Sequence, residues 1–212
     1  MFKVIDVSKS NSGYGSGLSI EPVTLAEAKA WILVDYSDDD ALITSLITQS
    51  RMSIEDFCHI SIIPKTIVLT AMPDGWHTSN YYLNTVSRWD RAFYGYPGPN
   101  GDWSELPYGP VSAVQSVISV NYGVTTVLTL NTDYYVRGTL FQQIRVNTDC
   151  ETLLIQYTTP AYCPDALKEA ILNEIAFRYE LRGSGLNRYA SQNVGASEGA
   201  QALAKQYQRI WL

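Results

Sequence analysis

Between Thr24 and Cys58 apolar residues recur at helical spacing in two runs parted by a polar break. In the first run Leu25, Ala28 and Ile32 share one face, and Thr24 and Glu27 in TLAE stand at capping-box spacing. The threonine hydroxyl can reach forward to an amide while the glutamate reaches back, which predicts a helix over 24–34. Ser37 or Asp38 then serves as N-cap of a second helix over 38–58, with Leu42, Ile43, Leu46, Ile47, Ile54 and Phe57 at its apolar positions. The pair is expected to form an antiparallel helical hairpin.

After Pro64 the pattern changes from a period near 3.6 to short β-branched runs. KTIVLTAM from Lys65 is the first candidate strand, followed by Val114 to Tyr122, Thr125 to Leu130, Tyr134 to Arg137, Phe141 to Val146 and Thr152 to Tyr157. Asn-Tyr-Gly, Asn-Thr-Asp and Arg-Gly stretches lie between them and have turn chemistry. A helical period returns at Pro164, which is tolerated in a first turn, and Arg178 and Arg182 complement the negative end before Gly183. A third helix over 164–182 follows, apolar on more than one stripe, and so expected to pack against the N-terminal hairpin.

The fold class read from this order is α+β: a small helical core, made of the N-terminal hairpin and the C-terminal helix, with an inserted antiparallel β meander or sandwich. The expected organisation is a flexible arm at 1–19, a core at 20–182 and a tethered extension at 183–212. The β region spans 65–157. Ser- and Gly-rich text at 8–19 and again after Gly183 motivates the two outer limits, because such residues have little to bury and much backbone entropy to lose. A loop at 75–105 interrupts the β region, and nine aromatic residues crowd between Trp76 and Tyr108.

Composition narrows the function. Hydrophobic residues make up 46% of the 212 and charged residues only 17%, too apolar for a disordered chain and sparsely charged for a solvated surface. A formal charge of −6 gives phosphate little to attract, so a duplex-gripping protein is disfavoured. Cys58, Cys150 and Cys163 have no metal-ligand spacing and cannot all pair, so reduced thiols in a cytoplasmic setting are expected. No apolar run approaches a membrane span and the start has no signal-peptide core, so a soluble protein kept inside a cell is expected.

Candidate chemistry is thin. GASEG at 195–199 matches the serine-hydrolase elbow in letters, but polar text precedes Ser197 where a hydrophobic strand is needed, and no acid and histidine follow in that fold's order. His59 and His77 stand outside any zinc pattern. Asp38, Asp39 and Asp40 lack the glycine and closing glutamate of a calcium loop and suit a helix N-terminus better. GYGSG at 13–17 lacks the Lys-Ser/Thr of a phosphate loop. No catalytic residue, cofactor or metal is expected.

Two regions suit contact with partners instead. Trp89, Phe93, Tyr94, Tyr96 and Trp103 in the aromatic loop offer large rigid contact area at small entropic cost, which suits an intersubunit contact, a sugar-stacking platform or a local mini-core packed on its own sheet, with interface or self-packing favoured. At the C-terminal end Leu203, Tyr207, Ile210, Trp211 and Leu212 could fold back on the chain's own helices or insert into a groove on a partner, and the tether favours insertion.

The run EPVTLAEAKAWILVDYSDDDALITSLITQSRMSIEDFC, Glu21 to Cys58, resembles the opening of the tailed-bacteriophage head-tail connector proteins. Pro64 and Thr66 look like the family's I-P-x-T step, and LPYGPVSAVQSVISV, Leu106 to Val120, like its L-P-x-G-P-V strand. YTTPAYCPDALKEAIL, Tyr157 to Leu172, is similar to the stretch that opens the last core helix. The resemblance covers about residues 20 to 182, with the aromatic loop standing out as an insertion.

It implies a non-enzymatic virion adaptor, made in the host cytoplasm, whose copies form a closed, twelve-fold ring between the portal protein and the next neck or tail component. It also implies portal docking by Gln201 to Leu212. DNA would pass through without specific binding, and no membrane is involved. The physical reading agrees, since a head-to-tail ring buries two different faces per copy and a carboxylate-lined channel repels DNA. The alternative from the residues is a carbohydrate-binding or fibre-associated virion module that uses the aromatic loop.

Overall fold

A computed structural model of the chain describes residues 2–10, 21–73, 103–148, 150–181 and 195–209. The chain divides into two compact units: a helical unit of 16–63 and 161–209, and a β unit that takes 64–160 together with the N-terminal strand. The β unit therefore interrupts the helical unit in sequence, and the α+β class stands.

The helical unit holds α1 (Leu25–Trp31), α2 (Asp40–Cys58), α3 (Asp165–Leu181) and α4 (Glu198–Ala204), with a 3-10 turn at Lys205–Tyr207. The capping box forms as the sequence predicts: Glu27 N–H donates to Thr24 Oγ1 at 3.2 Å, and Thr24 N–H donates to Glu27 Oε2 at 2.9 Å. α1 stops at Trp31, three residues before the expected end, because Leu33 turns left-handed with φ 57° and Val34 N–H bonds back to the Lys29 carbonyl at 3.0 Å. α2 begins later than expected, with Asp39 as N-cap in place of Ser37 or Asp38. Ile43, Leu46, Ile47 and Ile54 of α2 are buried, as are Leu167, Ala170, Ile171 and Ile175 of α3. Burying these eight side chains is the main favourable term for the unit, at about 1.5–3 kcal/mol for each large aliphatic.

The β unit holds β1 (Phe2–Ser10), β2 (Lys65–Pro73), β3 (Ser104–Glu105), β4 (Ala113–Asn121), β5 (Val124–Val127), β6 (Tyr134–Arg137), β7 (Gln143–Val146) and β8 (Thr152–Thr159). Five strands form one antiparallel sheet in the order β1-β2-β8-β4-β5, and three form another in the order β3-β7-β6. In β8 burial alternates: Leu153, Ile155, Tyr157 and Thr159 are buried while their neighbours are half-exposed, the period-two signature of a strand with one face on a core. Ile67, Leu69, Val117, Leu153 and Ile155 of the first sheet share that core with Tyr134 and Ile144 of the second. The Tyr157 hydroxyl donates to the Pro107 carbonyl, and burial pushes its phenol well above the ordinary value.

The structure departs from expectation at the N-terminus. Residues 2–10, within the stretch read as an arm, pair with β2 along its length, from Phe2 opposite Pro73 to Ser10 opposite Thr66. Lys3, Asp6 and Lys9 break up its apolar residues, and charges of this kind are common on an edge strand. The β4–β5 turn is as foreseen: Tyr122 and Gly123 both take positive φ, 48° and 79°, which a two-residue hairpin of matching twist requires.

Candidate interaction surfaces

Ser197 and Cys58, weighed for chemistry in the sequence, stand in structural contacts, while His77 and GYGSG at 13–17 lie outside the described residues. Ser197 is the N-cap of α4: its Oγ accepts from Ala200 N–H at 3.4 Å, and its own N–H donates to the Glu174 carboxylate at 2.7 Å. Glu174, only 1% exposed, also accepts from Arg178 Nε at 2.6 Å, and Arg178 reaches on to Ser53 Oγ at 2.7 Å. The Cys58 thiol is buried and faces the Ala204 carbonyl at 3.5 Å, and burial pushes it up to about 12, far from a reactive thiolate. Burial likewise moves the Cys163 thiol to about 11. His59 ends α2 in the left-handed conformation. Among the described residues no cluster of three or more metal-type ligands occurs, and no helix is long and apolar enough to cross a membrane.

A second buried network fixes the chain where α2 gives way to β2. Arg51 donates to Glu21 Oε2 and to Glu55 Oε2, each at 2.7 Å, and the other Glu55 oxygen accepts Ile62 N–H at 2.8 Å. Two of the three aspartates at the start of α2, Asp39 and Asp40, are engaged in side-chain contacts within the helical unit. Asp39 accepts from the hydroxyls of Tyr36 and Tyr179 at 3.1 and 2.7 Å, and Asp40 pairs with Lys29 at 2.7 Å.

Of the residues singled out for partner contact, Leu203 lies on α4 and Tyr207 in the following 3-10 turn, both half-buried within the helical unit. Over 195–209 the chain folds back on its own helices. Ala200 and Ala204 are buried, Arg209 N–H donates to the Cys58 carbonyl at 2.9 Å, and Gln208 Nε2 donates to the Phe57 carbonyl at 3.3 Å. Trp103 lies just before β3 in the β unit, half-buried, with the Arg137 guanidinium 4.3 Å above its ring, a cation–π geometry. Ile210, Trp211, Leu212, Trp89, Phe93, Tyr94 and Tyr96 lie outside the described residues.

The residues that do stand out at the surface were not singled out from the sequence. In the helical unit Trp31, Leu33 and Tyr36 are exposed around the α1 end, and Leu33 reaches 91%. In the β unit Tyr122, Val124 and Val127 are exposed on the β4–β5 hairpin, whose β5 is a sheet edge with no charged residue. The available signal was WILVDY: apolar residues continuing through a helix end without a glycine stop. A helix carried on to Val34 by that pattern would enclose Leu33.

Residues 22–123, from the capping box through the β4–β5 turn, match the family of phage gp6-like head-tail connector proteins. Over that span the chain is similar to this family. The chain also shares its fold with solved particle components. One chain from the neck of an empty gene transfer agent particle with C6 symmetry superposes at TM-score 0.61 with 16% identity, over 98% of this chain and 97% of that one. A chain of the native gene transfer agent virion gives 0.61 and 16%, over 97% and 96%. A chain of the native particle's neck with C12 symmetry gives 0.55 and 18%, over 89% of each. At such identities the likeness is one of fold. No curated protein sequence matches the chain significantly.

Proposed function

We propose that this chain is a structural component of a tailed particle's neck: copies assemble into a closed ring between the portal protein and the next neck or tail component. The observation that carries the reading is the connector-family match over 22–123, which includes α1, α2, β2, β3 and β4. The near full-length fold shared with neck chains supports it. So does the use of Ser197, Glu174 and Arg51 for holding the fold together, which leaves them in structural contacts. The ring is twelve-fold in this proposal, the chain acts as a gasket and not as an enzyme, and DNA passes through without specific contacts. An acidic protein repels the phosphates it lets by, which keeps the passage slippery.

The C-terminal segment 201–212 is the portal-docking element of this reading. Mixing purified chain with portal rings and imaging by negative stain tests it: an added annulus on one end of the portal is expected. Bare portal rings at saturating chain would refute it. Deleting 210–212, which follow α4 and its 3-10 turn in sequence, is expected to weaken docking while leaving the thermal midpoint near that of the full chain.

A further inference from the structure

The α1–α2 corner carries a feature that folding alone does not explain. Leu33 occupies the position just after α1 where glycine fits best, because the backbone there is left-handed. A branched apolar side chain at that φ is strained, and here it gains nothing from burial, since 91% of it faces solvent. Trp31 and Tyr36 are exposed beside it in the sequence. Asp35 and Asp38, also exposed, form no ion pair among the described residues. The corner is an apolar knob in an acidic setting.

The same chain presents the opposite chemistry elsewhere. On the β6–β7 hairpin Arg137 is exposed and Arg145 half-exposed, neither with an acidic partner among the described residues. Leu140, between them in the connecting turn, is half-exposed. A head-to-tail ring needs two unlike, complementary faces on every copy. Charge-complementary surfaces with apolar centres meet that need, because apolar contact supplies affinity and charge supplies register.

We infer that the Leu33 corner of one copy docks on the Arg137–Leu140 turn of a second copy, with Asp35 and Asp38 facing the arginines. The inference rests on the ring reading above and names its copy-to-copy contact. The strain at Leu33 makes it separable from folding, because Leu33→Gly relaxes the backbone while removing the knob.

Sedimentation velocity of the full chain over a concentration series, at low and high salt, tests the contact. The wild-type chain is expected to self-associate, less so as salt rises. Leu33→Gly and Arg137→Asp should each weaken association at least about tenfold, with the thermal midpoint of Leu33→Gly no lower than wild type. Combining Asp35→Arg with Arg137→Asp should recover most of what either loses. Association unchanged in both Leu33→Gly and Arg137→Asp overturns the contact and leaves the ring to another surface. Loss in the single variants without recovery in the pair overturns the pairing of these two faces. A wild-type chain that stays monomeric throughout overturns the contact and the copy-to-copy part of the ring reading together.

Discussion

The helical unit buries Arg51, Glu55 and Glu174, whereas among the described residues of the β unit only Lys65 is a buried charge. The β core is instead a set of aliphatic and aromatic side chains whose positions follow from strand alternation and register. Two ways of specifying structure thus coexist in one chain. Helices slide and rotate easily when only apolar stripes hold them, so directional pairs such as Glu55 to Ile62 N–H and Glu174 to Ser197 N–H fix where chain segments attach. A sheet already has that directionality in its backbone ladder, and its interior can be purely apolar.

The sharpest way to break this contrast is to remove one partner of a buried pair. Glu55→Ala takes one of the two carboxylates that Arg51, 3% exposed, pairs with, leaving it Glu21, and leaves Ile62 N–H without its acceptor; a loss of about 3 kcal/mol is expected in urea unfolding. Glu55→Gln keeps an acceptor for that amide and should cost less. In the β unit the matching test is a change of volume. Ile155→Ala, at the centre of β8, should cost about 2–5 kcal/mol and Ile155→Val only about 1 kcal/mol, because a core held by packing tolerates a lost methyl better than a lost side chain.

Next in size is Glu174→Gln. The amide can still accept one bond but no longer carries the charge that Arg178 and Ser197 N–H both address, so a loss of about 1–3 kcal/mol is expected. Amide exchange at 197–201 should quicken more than exchange in α2. Unchanged exchange there would mean that α4 is held by its alanines alone.

The smallest effect belongs to an exposed pair. The Glu27 carboxyl is held down from 4.5 to about 2, first by the hydrogen bond from Lys168 and then by those from Thr24. A carboxyl lowered in the folded state contributes its stability above 4.5 and loses it as pH falls toward 2. Solvent screens the pair, so Glu27→Gln should flatten the acid limb of a stability–pH curve only slightly. It should leave stability at neutral pH nearly unchanged.

How much of this was legible in the sequence follows from how local each device is. The Thr24–Glu27 box, the apolar stripe of α2 and the Tyr122–Gly123 turn act within a few residues, and the sequence shows all three. Arg51 and Glu55 stand four apart, a spacing that places them together on a helix, but Glu21 joins them from 30 residues away with no local signal. Ser197 looked like a fragment of a catalytic motif because its partner Glu174 lies 23 residues upstream. β1 was hidden by the charges that suit an edge strand, which read in isolation like those of a solvated arm. Leu33 was hidden by its neighbours, since an apolar residue after an apolar helical run looks like one more turn of helix.

The measurement that bears most directly on the neck assignment is the phenotype of particles assembled without this chain, viewed by electron microscopy. DNA-filled or leaking heads and free tails, with no joined particles, are expected, and joined particles should return when the wild-type chain is supplied. Joined heads and tails that retain their DNA in its absence would contradict it.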